Sequence, residues 1–506
     1  MRQLTTVALL LALLPALAED LKPSLLRYAS GGDAVRLDPA DISDGESAKV
    51  TQQVFDTLVR FKSASFDLEP ALAERWEQDG LVWTFHLRKG VRFHDGTALT
   101  ASVAKASLER LKDPAKPYAS SFAILKTLEA PDDLTLVLKL ERPYAPLLRN
   151  LAMFCAGIVP PAASQDPAAF SRAPVGTGPF RFVSWTPNEK IVLKANHEHW
   201  DGRPAADTLI FLPVPDNAKR LKLLQTGGAD LADGISLSDV ASVEADKGLS
   251  LHAIRPGANL AYLAFHTGKK PFDNPKVRRA LAMAVDRAGI VGHLFSGRAA
   301  AAESIIPQGF LGHENAPFVP FDPAAAKKLL AEAGFPDGFE TELWAMPNPR
   351  PYLPEPRRVA QAIQANLAAI GVKARIISPE WAAYLEGVQT GQHPMCLMGW
   401  TTDNGDPDNF AYVLLDKDNA QPGAASNVSF YQDGEVHTLL TKAQETADET
   451  ERGRLYREAM ALVRRDCPVL PLATTDALAV TRAQVQGFEL HPVGQPILRR
   501  ARLVRP

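Results

Sequence analysis

The second half of this 506-residue chain alternates short apolar segments with amphipathic helical segments. A helix is predicted over 275–286, where Asn274 can cap the amino terminus and Pro275 suits the first turn. After further helical segments, short apolar strands are predicted at about 372–377 and 395–399. Strands that alternate with helices pack as a sheet with helices on its faces, so the pattern predicts an α/β fold.

The amino terminus has the form of a secretory signal peptide. Arg2 supplies a positive charge, residues 4–14 are almost wholly apolar, and Ala16-Leu-Ala18 is a cleavage site of the small-x-small type. The apolar run is shorter than the roughly 20 residues that a membrane-spanning helix needs. Residues 1–18 are therefore predicted to be removed before Glu19, which leaves a mature protein in the periplasm.

The mature chain is too long for a single hydrophobic core, so at least two domains are expected. Its first part is richer in strands, and Trp83 and Phe85 alternate with polar residues as in a half-buried strand. Leu25 begins another predicted strand. Apolar residues at helical spacing predict a helix over 50–61.

Composition argues against several classes of protein. The chain has 55 Lys and Arg against 58 Asp and Glu, a formal charge of −3, so neither a nucleic acid nor an anionic membrane is an expected partner. Cys155, Cys396 and Cys467 lie among apolar neighbours and predict buried thiols. The sequence contains no Gly-x-Ser-x-Gly, P-loop, Cys-x-x-Cys or His-Glu-x-x-His motif. We therefore predict no enzymatic activity, no cofactor and no metal site.

One stretch, over 395–410, is the most informative. An apolar strand delivers Trp400 into a loop rich in Gly, Pro and Asp. Such strand ends are where open α/β domains bind ligands. Asp403, Asp406 and Asp408 lack the spacing of an EF-hand, so a calcium site is not predicted.

A second loop offers the opposite charge. Arg350 lies in a Pro-rich segment after a predicted strand over 340–345. If this strand neighbours the one before Asp403, the two loops place a cation and an anion on one cleft face. A dipeptide has an ammonium and a carboxylate about 6 to 7 Å apart, and a longer peptide would bury an unpaired charge. The charges alone, however, favour an Arg350–Asp403 salt bridge or two solvated side chains.

Several motifs together resemble a known family. They are Leu72-Ala-x-x-Trp76, Thr84-Phe-x-Leu-Arg-x-Gly-Val91, Gly176-Thr-Gly-Pro-Phe180, Leu343-Trp-Ala-Met-Pro-x-x-Arg-Pro-Tyr352 and Met398-Gly-Trp-Thr-x-Asp-Asn-Gly-Asp-Pro-Asp-Asn-Phe410. Over nearly the whole mature chain, the sequence resembles the periplasmic dipeptide-binding proteins. These belong to the peptide/nickel family of substrate-binding proteins that serve ABC importers.

The resemblance implies a two-lobed periplasmic binding protein fold of the large peptide-binding type, known as cluster C. Residues 19–257 and 471–506 are predicted to form the first lobe, with an extra subdomain at about 47–175. Residues 258–470 are predicted to form the second lobe.

The resemblance also implies a ligand site and a mechanism. The family's position equivalent to Arg350 binds the ligand carboxylate, the position equivalent to Asp403 binds its amine, and Trp400, Thr401 and Tyr352 match positions beside the ligand. The implied function is capture of dipeptides by domain closure and delivery to an inner-membrane ABC permease, by a monomer without a cofactor. Alternative ligands on the same scaffold are a tripeptide, glutathione, δ-aminolevulinate or haem. A periplasmic hydrolase is the alternative from another class.

Overall fold

The computed structural model describes residues 24–504. The predicted signal peptide lies outside these residues. Within them, helices cover the faces of two large mixed sheets, and a smaller antiparallel sheet is inserted between strands of the first. The predicted α/β class is confirmed. No helix in the described part of the chain is both long and apolar enough to cross a membrane.

The first large sheet is organised around the strand Leu25–Ser30, which runs parallel to Thr208–Pro213 on one side and to Leu231–Asp233 on the other. The carboxyl ends of these three strands therefore meet at one edge. In spatial order, the strands of the first sheet are Leu249–Ile254, Ala477–Arg482, Leu231–Asp233, Leu25–Ser30, Thr208–Pro213, Lys190–Ala195 and Phe180–Thr186.

The second large sheet holds the largest hydrophobic core of the described chain. Its central strand Asn259–Phe265 is buried at every position, as expected for a strand covered on both faces. In spatial order, the strands of the second sheet are Ala299–Ala301, Val469–Thr475, Asn259–Phe265, Met395–Thr401, Glu340–Trp344 and Lys373–Ile377. The strands predicted near 372–377 and 395–399 are confirmed.

A smaller sheet has its own core, formed mainly by buried residues between Leu58 and Ile158. We call residues 58–158 the small-sheet region. Its antiparallel strands, in spatial order, are Ala73–Asp79, Val82–Leu87, Thr135–Leu140 and Leu125–Glu129. Further strand pairs are Val59–Phe61 with Leu68–Pro70, Val485–Gln486 with Arg502–Leu503, and Glu489–Leu490 with Pro496–Ile497.

Most of the longer helices begin at a capping side chain. Asn274 accepts a hydrogen bond from the Lys276 amide and Pro275 occupies the first turn, which confirms the predicted start of that helix. The α-helices are Gly45–Val54, Ala101–Arg110, Ala119–Phe122, Leu147–Leu151, Ala162–Gln165, Pro167–Arg172, Asn217–Thr226, Val240–Ala245, Pro275–Ala284, Arg287–Leu294, Pro323–Glu332, Pro356–Ala368, Trp381–Gln389, Asp408–Leu415, Gly434–Glu445 and Glu449–Asp466. Short 3-10 helices are Pro39–Asp41, Phe154–Ala156, Leu237–Asp239 and Lys417–Asn419.

The helix predicted over 50–61 is wrong in its second half. The helix is Gly45–Val54, and it starts one turn earlier than predicted because Asp44 accepts a hydrogen bond from the Ser47 amide. After Val54 the chain leaves the helix and forms the strand Val59–Phe61. Leu58 belongs to a different core from Val50 and Val54, so the helical spacing of these residues does not reflect one helix.

The chain passes between the two large sheets twice, and the two crossings lie side by side. The amide of Gly257 donates to the carbonyl of Thr475 at 3.0 Å, and Arg255 pairs with Asp476 at 2.7 Å. The predicted boundary at residue 257 falls at the first crossing. Residue 471 instead lies inside the strand Val469–Thr475 of the second sheet, so we propose Asp476 as the second boundary.

The three cysteines are buried and free, as predicted. Burial raises the pKa of each thiol, most directly for Cys396, where it is the dominant cause. Buried neutral thiols act as small hydrophobic side chains.

Candidate functional site

The two loops singled out by their charges leave the same edge of the second sheet. Glu340–Trp344 and Met395–Thr401 are adjacent and parallel, with Leu343 opposite Met395. Adjacent strands lie about 4.8 Å apart. Trp344 ends its strand opposite Cys396, whereas the neighbouring strand continues to Thr401, so the arginine loop begins beside that strand and the acidic loop begins at its end. We call residues 345–355 the arginine loop and residues 402–407 the acidic loop.

This edge faces the junction between the two sheets. Asn259, the first residue after a crossing, pairs with Thr401 at the end of its strand. Thr475, the last residue before the other crossing, donates its hydroxyl to the carbonyl of Pro351 at 2.8 Å. The predicted contact residue Thr401 is half-buried here. The geometry therefore places both loops at the mouth of the cleft between the sheets.

Arg350 is held by its backbone and by an aromatic ring. Its amide and carbonyl exchange hydrogen bonds with Leu353 at 3.1 and 2.9 Å, which closes a tight turn. The guanidinium lies 3.8 Å from the ring centroid of Trp381, a cation–π contact. Within residues 24–504, the Nε of Arg350 is buried and has no hydrogen-bond partner. The side chain is thus oriented while part of its donor capacity stays unused.

The ring of Tyr352 packs against the neighbouring strand and so fixes the position of the arginine loop. A Cβ on Gly399 would lie 2.1 Å from the Tyr352 ring, so only glycine allows the ring to pack there. Burial raises the pKa of Tyr352 to about 12, and the nearby charge of Arg350 opposes this rise. Tyr352 is therefore a neutral wall beside Arg350 at physiological pH.

Trp400 is held by a residue in the first turn of the helix Asp408–Leu415. Its indole Nε1 donates to Asn409 Oδ1 at 2.9 Å, and the backbone amide of Asp403 donates to the same oxygen at 3.1 Å. One amide side chain therefore sets the positions of both predicted ligand residues.

Asp403 is a cleft carboxylate without a cation. Within the described chain its hydrogen-bond donor from a side chain is the hydroxyl of Tyr118, at 3.3 Å, and no salt bridge joins it to Arg350. Burial raises the pKa of Asp403 to about 7, and the hydrogen bond from Tyr118 opposes the rise. The simple alternative of an Arg350–Asp403 salt bridge is not what the structure contains.

The other two aspartates of this segment have structural partners. Asp406 is fully buried and accepts a bidentate pair of hydrogen bonds from Arg452 at 2.8 and 2.6 Å. Asp408 accepts from Gln444 Nε2 at 3.0 Å. These contacts shape the acidic loop, whereas the carboxylate of Asp403 accepts its side-chain hydrogen bond from Tyr118.

The small-sheet region contacts the acidic loop from the other side. The side-chain amide of Asn404 donates to Asn150 Oδ1 at 2.7 Å in a buried contact. The ring of Phe66 packs directly against the Cα of Gly405. These contacts shield the acidic loop from water, which explains the high pKa of Asp403.

Substitution of Gly405 by alanine should loosen this contact. Gly405 has a φ of +67°, and an added Cβ would lie 2.0 Å from the Phe66 ring. We expect Gly405→Ala to lower the free energy of unfolding by about 1–3 kcal/mol. Urea titration checks this, with Gly423→Ala as a control, because Gly423 has a φ of +94° but open space around its Cα. Equal losses in the two variants would contradict a specific contact with Phe66.

Sequence reasoning did not identify Tyr118 or Asn409 as site residues. Tyr118 is an ordinary polar residue in its own segment, and nothing local marks its role. Asn409 lies within the 398–410 motif, but no local pattern shows that its side chain holds Trp400 and the Asp403 amide. Trp381 begins the helix Trp381–Gln389, and its position beneath Arg350 depends on the packing of this helix against the sheet.

A separate polar group lies at the far end of the helix Asp408–Leu415. The carboxylate of Asp416 lies 3.0 Å from His437 Nδ1, and its Oδ1 accepts from the Asp418 amide at 2.9 Å. These hydrogen bonds account for the convergence of the three side chains. The prediction that the protein has no metal site stays a prediction.

The fold and the cleft define a class of protein. Two α/β units joined by two adjacent crossings, with paired charged loops at the junction, are the architecture of a two-lobed solute-binding protein. The model of the family described as bacterial extracellular solute-binding proteins, family 5 (middle), matches residues 67–422. The chain belongs to this family.

Relatives cover almost the whole chain. A protein of Haemophilus influenzae named heme-binding protein A is 36% identical over 496 residues, which cover 92% of this chain and 90% of the relative. The dipeptide-binding protein of Escherichia coli is 34% identical and covers 94% of both chains. The solved ABC transporter-associated periplasmic binding protein DppA from Helicobacter pylori, in complex with the peptide STSA, superposes with a TM-score of 0.84 at 32% identity and covers 97% of this chain and 100% of that one.

Proposed function

We propose that this protein is a periplasmic substrate-binding protein that captures dipeptides and delivers them to an inner-membrane ABC permease. The observation that carries the proposal is the pair of oriented, opposite charges at one cleft edge, Arg350 and Asp403, which do not neutralise each other. In the proposal Arg350 binds the ligand carboxylate and Asp403 its ammonium. Trp400, Thr401 and Tyr352 line the space between them.

The pair selects for a zwitterion of limited length. A group with the free donor capacity of Arg350 binds a carboxylate through charge-assisted hydrogen bonds. Asp403 carries a desolvation cost that an ammonium would offset. Both loops follow neighbouring parallel strands, and in the proposal the two charges bind opposite ends of one ligand, which in a dipeptide are about 6 to 7 Å apart. A longer chain would leave one terminus unpaired, at a cost of several kcal/mol.

Domain closure supplies the rest of the mechanism. The small-sheet region already contacts the acidic loop through Tyr118, so a ligand bound on the second sheet is covered from the opposite side. Exclusion of water strengthens the terminal ion pairs. The protein acts as a monomer without a cofactor. Residues 1–18 direct its export and are then cleaved. The H. pylori neighbour is an ABC transporter-associated periplasmic binding protein, which supports the permease as partner.

Affinity should depend on pH through Asp403. The ammonium binds the carboxylate form, so the free protein must lose a proton from Asp403 whenever the pH is below about 7. We expect affinity to fall by up to about tenfold for each pH unit below 7. Above a pH of about 8 the peptide amine itself loses its charge, and affinity falls again.

Calorimetry in buffers of different ionisation enthalpy measures the protons released. At pH 6 we expect up to about one proton per bound dipeptide. In Asp403→Asn the release and the acidic limb of the profile should both vanish. Unchanged proton release in Asp403→Asn would contradict this assignment.

A ligand panel tests the proposed class of ligand. Ligand-stripped protein is titrated with di-, tri- and tetrapeptides, glutathione, δ-aminolevulinate and haem. We expect dipeptides to bind at least about tenfold more tightly than any longer peptide. Haem is the second candidate because a relative of 36% identity is named heme-binding protein A. Binding of haem without any binding of dipeptides would overturn the proposal in favour of that candidate.

Recovery of the ligand separates binding from catalysis. Mass spectrometry of a dipeptide complex after prolonged incubation should return the intact peptide. Accumulation of free amino acids in proportion to the protein would favour a hydrolase instead.

A further inference from the structure

A second charged pocket lies beside the first sheet, close to the end of the described chain. It has a volume of about 440 Å³, and its lining includes four arginines and one acid. The arginines are Arg203, Arg499, Arg500 and Arg502, and the acid is Asp201. We call this the arginine pocket.

The pocket is built by backbone contacts rather than by chance exposure of side chains. The short strand pair Val485–Gln486 and Arg502–Leu503 fixes one wall. Gly487 has a φ of +70°, and a Cβ there would lie 2.1 Å from the carbonyl oxygen of Arg500, so the two segments touch. The opposite wall is joined on by the Ala205 amide, which donates to the carbonyl of Arg499 at 2.8 Å.

Two of the four arginines of the arginine pocket have acidic partners, since Arg203 pairs with Asp207 and Arg499 with Asp201, and the other two do not. Asp201 is shared between two guanidinium groups, since Arg60 lies 2.8 Å from it and Arg499 pairs with it as well. Arg500 and Arg502 are exposed, and neither lies within salt-bridge distance of a carboxylate in residues 24–504. A chain with a formal charge of −3 thus gathers uncompensated positive charge at one concave site.

Like charges in the pocket also oppose one another. Burial lowers the pKa of Arg499, and the neighbouring guanidinium groups of Arg60 and Arg500 lower it further. A bound anion would relieve this repulsion. A phosphate group suits several guanidinium groups at once, because it has three strong acceptor oxygens and carries more than one negative charge near neutral pH.

We propose that the arginine pocket binds a phosphate-type oxyanion, and that Arg500 and Arg502 are its principal donors. Two sources share this chemistry: a soluble phosphate compound and the headgroup of an anionic phospholipid. The pocket is separate from the cleft, because none of the cleft residues line it.

Two titrations distinguish the sources. Full-length mature protein is titrated with inorganic pyrophosphate by calorimetry at low ionic strength, and it is sedimented with vesicles of phosphatidylglycerol or of phosphatidylcholine. Each assay is repeated with the double variant Arg500→Ser/Arg502→Ser. The control is Lys327→Ser/Lys328→Ser, which removes two exposed charges from a helix of the second sheet's unit.

We expect wild-type protein to bind pyrophosphate, phosphatidylglycerol vesicles or both. The arginine double variant should bind at least about tenfold more weakly, and the lysine double variant should stay within about twofold of wild type. Binding of pyrophosphate alone would assign a soluble ligand, and binding of vesicles alone would assign a lipid headgroup. Absence of binding to both probes, or equal losses in the two double variants, would overturn the proposal. Urea titration of both double variants against wild type confirms that they are folded.

Discussion

Asp403→Asn is expected to weaken the binding of a free dipeptide by at least about 100-fold, or about 2.7 kcal/mol. Asparagine has the shape of aspartate but no charge, so the ligand ammonium would be desolvated beside a neutral amide. The Asn409 oxygen that holds the backbone of residue 403 is untouched, and the acidic loop should keep its conformation. Calorimetry on ligand-stripped protein gives the affinity.

The free energy of unfolding of Asp403→Asn shows whether a loss of binding comes from a loss of structure. Because Asp403 is held at a pKa of about 7 by burial, its replacement by a neutral residue should not lower the free energy of unfolding at pH 7 or above. A carboxyl whose pKa is raised on folding destabilises the folded state at high pH. Any change that Asp403→Asn makes to the free energy of unfolding should therefore be an increase. Lost binding together with lost stability would instead indicate a structural role for Asp403.

Arg350→Gln is expected to produce a loss of similar size, at least about 100-fold. The substitution removes the cation that would meet the ligand carboxylate, and it also removes the cation–π contact with Trp381. Glutamine keeps a donor but cannot bind a carboxylate with two parallel charged hydrogen bonds.

Arg350→Lys separates charge from geometry. Lysine keeps the positive charge but lacks the planar fork, so it should restore only part of the affinity. Intermediate affinity for the lysine variant supports direct binding of a carboxylate. Affinity equal to wild type in Arg350→Gln would remove Arg350 from the site.

Much of the fold could be predicted from the sequence because local signals agree with tertiary structure in the second half of the chain. Short apolar runs predicted the strands near residues 372 and 395, and a cap at Asn274 with apolar residues at helical spacing predicted the helix that follows it. All three elements are present. The sequence does not show that the strands before the arginine loop and the acidic loop are neighbours. The prediction of a shared cleft face holds only under that condition. The structure meets that condition.

Other parts of the site depend on long-range contacts. Tyr118 and Asn150 reach the acidic loop from the small-sheet region, more than 250 residues away along the chain. No local pattern encodes such a contact. The misplaced helix over 50–61 has the same origin, since apolar residues of two different cores happened to follow one helical spacing.

The measurement that tests the central claim most directly combines modified ligands with the two variants. One dipeptide is prepared with free ends, with an acetylated amino terminus and with an amidated carboxyl terminus. Each form is titrated into wild type, Asp403→Asn and Arg350→Gln, with NMR for the weak complexes. A two-ended site predicts that acetylation weakens binding at least about 100-fold in wild type and Arg350→Gln but less than about threefold in Asp403→Asn.

Amidation should have the converse effect: it should weaken binding strongly in wild type and Asp403→Asn and hardly at all in Arg350→Gln. This crossed pattern would establish that Asp403 binds the ammonium and Arg350 the carboxylate. Equal penalties for acetylation in wild type and Asp403→Asn would contradict the account, because the ammonium would then be bound somewhere else.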